Sequence, residues 1–134
     1  PGTPTPTPGP NPEQDPVEAF VERMYTLVLN RPADSGLAYW TGQLKDRVTT
    51  GADVAKDFVL GPEFVGRGVT DEAFVEIMYQ TFFGRPGDAG GAAYWLGELS
   101  RTSRETVFAG FVNSTEFGDI CEAYGIIQGT VTLE

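Results

Sequence analysis

Histidine is absent from this 134-residue chain, and cysteine occurs once, at Cys121. Without imidazole there is no ordinary general base near neutral pH, no triad built on one and no histidine-containing zinc site. A lone thiol closes no intramolecular disulfide, so the core must hold the fold. Cations are scarce as well: nine Lys and Arg stand against nineteen Asp and Glu, a formal net charge of −10. That field repels phosphate backbones and anionic lipid, so nucleic acid is not an expected partner. No apolar run reaches the roughly 18–20 residues needed to cross a bilayer, so membrane insertion is not expected either. No stretch alternates apolar and polar residues long enough to read as a strand. Asp34 and Asp88 lack the dense oxygen ligands of a calcium loop, and no metal or other cofactor is expected.

What the chain does contain is a duplication. Phe20-Val21-Glu22, Tyr25 and Arg31-Pro32-Ala33-Asp34-Ser35-Gly36 return about 54 residues on as Phe74-Val75-Glu76, Tyr79 and Arg85-Pro86-Gly87-Asp88-Ala89-Gly90. Tyr39-Trp40 returns as Tyr94-Trp95, and Gly61-Pro62-Glu63-Phe64 as Ser114-Thr115-Glu116-Phe117. Two copies of one helical unit imply that each buries its apolar face against the other.

Local signals place the helices. Asp15 caps the first, with Pro16 in the favoured first position and Glu18 completing a capping box. Val17, Phe20, Val21, Met24, Leu27 and Val28 recur at helical spacing, and Pro32 ends the run. Asp34 caps the second helix, since its counterpart Asp88 is available in both units whereas Ser35 is matched by Ala89. Thr50, with Asp53 three residues on, opens a third that buries Val54, Phe58 and Val59 and stops at Gly61-Pro62. The second unit repeats the plan: Thr70 leads a helix with Phe74, Ile77, Met78 and Phe82 on one face. Asp88 caps the next helix, and Ser103 a last long one with Val107, Phe108, Phe111 and Val112. Gly91 reads as an extra loop residue. The expected fold is therefore all-α, two pseudo-repeated three-helix units, with a short segment near Ile120 to Ile126 covering one end.

Residues 1–15 form a Pro/Thr-rich linker, extended in conformation and open to O-glycosylation, as between modules of secreted bacterial proteins. The helical domain spans 16–127, with repeats at about 16–66 and 70–119, and 128–134 is a tail whose Leu133-Glu134 reads as a cloning scar. With no signal peptide at its start, the chain reads as a mature fragment of something longer.

At the Arg-x-x-Asp-x-x-Gly turn, the Tyr-Trp pair and the closing Glu-Phe, the chain resembles the bacterial domain of unknown function 4214 family, twice over, from about Val17 to Phe117. The resemblance implies an extracellular or surface-associated module of large bacterial proteins, with no established activity or catalytic residue. Two departures lie at helix ends: Asn30 stands where Gly84 precedes the arginine, and Gly61-Pro62 replaces Ser114-Thr115. These are expected to alter caps more than fold.

Arg31 with Asp34, and Arg85 with Asp88, read chiefly as structural corners that answer a helix dipole, cap the next helix and pin the angle between them. A ligand-binding role for these pairs is the weaker alternative. Trp40 shares its helical side with Leu37 and Leu44, and Trp95 with Ala92 and Leu99, so both indoles are expected in the core. Tyr39 lies instead with Gly42, Gln43 and Asp46, and Tyr94 with Gly97, Glu98 and Arg101. Tyr39, Tyr94, Gln43 and Glu98 are thus the candidate ligand-binding residues, with phenol rings stacking on sugars. Gly42 and Gly97 cost helix stability and call for either a close helix crossing, the favoured reading, or a shallow groove beside the tyrosine. Cys121 reads as buried packing.

The expected function is a non-catalytic extracellular module that binds a polysaccharide or the cell surface. A structural or protein-docking module using a Phe82-Phe83 patch is the alternative. A carboxylate-dependent glycosidase, with Glu63 and Glu116 as the recurrent acids, is a remote one.

Overall fold

The computed structural model describes residues 15–132. The expected linker, apart from Asp15, and the closing Leu133-Glu134 lie outside the described residues. Helix α1 (Pro16–Arg23) runs into a π-helical turn (Met24–Val28), followed by α2 (Gly36–Lys45), α3 (Gly51–Val59) and α4 (Pro62–Val65). The second unit repeats that order: α5 (Asp71–Met78) with a π-helical turn (Tyr79–Phe83), then α6 (Ala89–Arg101), α7 (Arg104–Val112) and α8 (Thr115–Tyr124). Among the described residues there is no strand.

The caps fall where short polar side chains precede apolar periodicity. Asp15 accepts the Val17 N–H at 2.8 Å, and Thr50, Thr70 and Ser103 accept those of Asp53, Ala73 and Thr106, each at 3.1 Å. A fourth helix in each unit adds to the expected three. Pro62, read as a stop, is the first residue of α4, and Ser114 caps α8 by accepting the Phe117 N–H at 3.1 Å. The end segment near Ile120 is thereby part of a ten-residue helix.

Neither π-helical turn has a local sequence signal. Each lets one extra residue into the helix, as in the Leu29 N–H bond to the Met24 carbonyl at 3.2 Å, and leaves carbonyls without intrahelical donors. Arginines from elsewhere supply them. Arg67 donates to the Leu27 and Val28 carbonyls at 3.1 and 2.6 Å, and Arg23 donates to the Thr81 carbonyl at 3.2 Å, which ties the first unit to the second. The first helix ends before Pro32, because Asn30 turns left-handed at φ +57°, as Gly84 does at +66°. Asparagine tolerates that conformation, so the departure from glycine changes a cap and leaves the fold intact.

At the centre Phe20, Phe82 and Phe117 meet pairwise with centroids 5.6–6.3 Å apart, all three fully buried. Aromatic rings of this size each bury on the order of 150–250 Å² and dominate the core. The Phe82-Phe83 docking patch is therefore overturned: Phe82 is sealed in the core, and Phe83 packs half-buried on Tyr79 and Phe111. Cys121 is buried as expected, and burial pushes its thiol up to about 12.

The part of the tail at 128–131 is docked, together with Ile127. The Ile127 and Gln128 carbonyls accept the Gly51 and Ala52 N–H groups at 2.8 Å, opening α3 of the first unit. Gln128 Nε2 donates to the Val112 and Ser114 carbonyls at the end of α7, and Asn113 exchanges two hydrogen bonds with Val131.

Candidate functional site

One polar corner is built twice. The Arg31 guanidinium forks onto Glu63, with Nε to Oε2 at 2.7 Å and Nη2 to Oε1 at 3.2 Å, while Nη1 reaches Asp34 at 3.1 Å. Arg85 does the same to Glu116 at 3.0 and 3.0 Å and to Asp88 at 3.5 Å. Each guanidinium also lies over a tyrosine, Arg31 on Tyr25 at 5.1 Å and Arg85 on Tyr79 at 5.2 Å. Under each tyrosine a phenylalanine stands edge-on, Phe58 at 4.9 Å and Phe111 at 5.1 Å. A planar fork against a carboxylate is the strongest form of this contact. It joins the end of the first helix of a unit to the start of its fourth.

The aspartates cap as expected: Asp34 accepts the Gly36 N–H at 2.8 Å and Asp88 the Gly91 N–H at 2.6 Å, while Ser35 makes no side-chain cap. A Cβ on Gly36 would run into the Tyr25 hydroxyl, and one on Gly91 into that of Tyr79. The counterpart of Gly36 is therefore Gly91, and the extra residue sits in the first turn of α6 rather than in a loop.

The electrostatics keep this corner ionised. The Gly36 N–H and then the Tyr25 hydroxyl hold Asp34 below the usual carboxylate range, the Gly91 N–H does so for Asp88, and Arg31 does so for Glu63. Burial, then the neighbouring Asp34, pushes Tyr25 up to about 12. A general acid needs a raised carboxyl, and Glu63 is shifted the other way.

The tyrosines face outward, Tyr39 57% and Tyr94 59% exposed. Each is set edge-on to the indole beside it, at 4.9 Å and 73° in α2 and at 5.0 Å and 75° in α6. The indoles are not inside: Trp40 and Trp95 are half-buried and pack onto the core from its edge. Of the other two candidates, Gln43 is half-buried beside Tyr39, and Glu98 is ion-paired with Arg101. No helix crosses at Gly42 or Gly97, since nothing lies within 4 Å of a Cβ at either. The favoured explanation of those glycines is thus overturned, and each tyrosine has open space at its side.

A cleft of about 300 Å³ opens beside the first corner, lined in part by Tyr25, Leu29, Arg31, Trp40, Asp57 and Glu63. Sequence reasoning missed Asp57. Aligning the units from their caps at Thr50 and Ser103 would have shown it, because Asp57 then falls opposite Gly110.

Among the described residues no group of three or more Cys, Asp or Glu side chains is placed to hold a metal ion, and no helix is long and apolar enough to cross a membrane. Comparison with the curated proteins found no match. The family described as "Domain of unknown function (DUF4214)" matches residues 13–68 and again, in an overlapping second copy, residues 55–121. Those matches take in both corners, both tyrosine–tryptophan pairs and the cleft, and the chain belongs to the DUF4214 family.

Proposed function

We propose that this domain is a non-catalytic module of a larger bacterial protein, working outside the cell or at its surface and holding its parent to a polysaccharide. The observation that carries the reading is the matched exposure of Tyr39 and Tyr94, each braced by an indole and each beside an open helical glycine. An exposed ring held at fixed orientation loses little freedom when it stacks on the C–H face of a sugar, and two copies in one chain add avidity on a repeating polymer. The net charge of −10 and the Pro/Thr tract fit a secreted module directed at a neutral or cationic surface.

The two weaker readings lose support. Protein docking lacks its Phe82-Phe83 patch, and the recurrent acids Glu63 and Glu116 are each committed to an arginine fork. The test is retention on immobilised polysaccharides. Tyr39→Ala and Tyr94→Ala should each weaken it about tenfold, the effect of roughly 1.4 kcal/mol, with helical circular dichroism unchanged. Retention indifferent to both substitutions would refute the assignment.

A further inference from the structure

In the second unit the place that corresponds to the cleft is taken up by packed rings. There the Trp95 indole lies on Phe111 with centroids 4.7 Å apart and a 31° tilt, and Phe83 covers the same ring from 5.3 Å. The indole also lies over Gly110, where a Cβ would fall 2.6 Å from Trp95 Cη2. Aligned by the caps at Thr50 and Ser103, the corresponding residues of the first unit are Asp57 for Gly110 and Phe58 for Phe111, and aligned by the left-handed helix ends at Asn30 and Gly84, Leu29 for Phe83.

Position 57 carries a side chain where Gly110 leaves room for an indole. Trp40 consequently has Tyr39 as its ring neighbour and Phe58 has Tyr25, and the indole of Trp40 remains as a wall of the cleft. Leu29 fills less of the space than a phenylalanine would. One guanidinium and two carboxylates, Arg31, Asp57 and Glu63, leave the lining net negative. Arg31 and Glu63 satisfy each other, whereas Asp57 is exposed and pairs with no cation among the described residues.

We propose that this cleft takes one amino-sugar residue of a polysaccharide: Trp40 stacks on the pyranose face, Asp57 receives the ammonium group, and the Arg31–Glu63 pair meets the hydroxyls. An ammonium beside both an indole and an unpaired carboxylate gains from cation–π and charge-assisted contacts together. A lysine side chain would use only those two groups, whereas a sugar ring also uses the width of the cleft and its paired donor and acceptor. The inference rests on the polysaccharide reading but on different residues from Tyr39 and Tyr94, and it allows one such site per chain.

The experiment is calorimetric titration of the full chain with a glucosamine oligosaccharide, its N-acetylated counterpart and a tetralysine peptide. The expected result is about tenfold tighter binding of the glucosamine oligomer than of the acetylated one, as one charge-assisted hydrogen bond supplies. Asp57→Asn should erase that preference with circular dichroism unchanged, and the double variant Tyr39→Ala/Tyr94→Ala should keep it. Equal binding of the two sugars, a preference that survives Asp57→Asn, or tetralysine binding as tightly as the amino sugar would each overturn the assignment. Equal binding that falls in the double tyrosine variant would sink this inference alone and leave the polysaccharide reading standing. Binding of neither sugar would sink this inference, and retention on the wider set of immobilised polysaccharides would then decide the polysaccharide reading.

Discussion

The two units hold the same corner and fill the space beside it differently. Arg31 and Arg85 each grip a glutamate, an aspartate and a tyrosine with closely similar geometry. Beside that corner the second unit places Phe82, Phe83 and Phe108 where the first has Val28, Leu29 and Ala55. Its rings then form a continuous stack, Tyr79 to Phe83 to Phe111 to Trp95. The first unit ends that stack at Phe58 and keeps a cleft. The corner thus fixes the angles of the helices, while the positions next to it are free to trade rigidity for open space. Duplication allows one copy to supply packing and the other a concave surface.

The contrast is most easily broken at the residue under the indole. Gly110→Ala should lose about 1–3 kcal/mol of stability by overpacking against Trp95, whereas Asp57→Ala should stay within about 0.5 kcal/mol, both read from urea denaturation. Equal losses would mean that the units pack alike. A second comparison sharpens the register. Gly91→Ala, like Gly36→Ala, should lose at least about 1 kcal/mol against the tyrosine hydroxyl, while Gly90→Ala, whose Cβ would meet Asp88 Oδ1 at an ordinary 4.0 Å, should gain up to about 1 kcal/mol of helix propensity. If Gly90 proves the sensitive one, the alignment of the two turns is wrong. The smallest effect is expected at the left-handed helix ends. Asn30→Gly should gain, and Gly84→Asn lose, less than about 1 kcal/mol, seen as opposite shifts in thermal midpoint.

The sequence disclosed what is decided within a few residues. The caps at Asp15, Thr50, Thr70 and Ser103 use side chains that bond to N–H groups two or three residues on, and the buried faces follow a 3.6-residue period. The outward phenols followed from the same period. What stayed hidden joins distant residues or breaks the period. The Arg31–Glu63 and Arg85–Glu116 forks link residues 32 and 31 apart, and no local pattern announces them. The π-helical turns rotate everything after Met24 and Tyr79, which brings Phe83 against Phe111. The tryptophans were misjudged because periodicity gives the side of a helix and not the depth of what covers it. Pro62 was read as a stop although proline is equally suited to a first position.

The strap of residues 127–131 has a consequence for how the molecule is made. The first two amide groups of α3 are met by Ile127 and Gln128, so an early helix is completed by some of the last described residues to leave the ribosome. Until they arrive, the first half waits with its third helix unlatched at one end. The final closing step is then long-range and cooperative, and a half-length chain is not a smaller version of the whole.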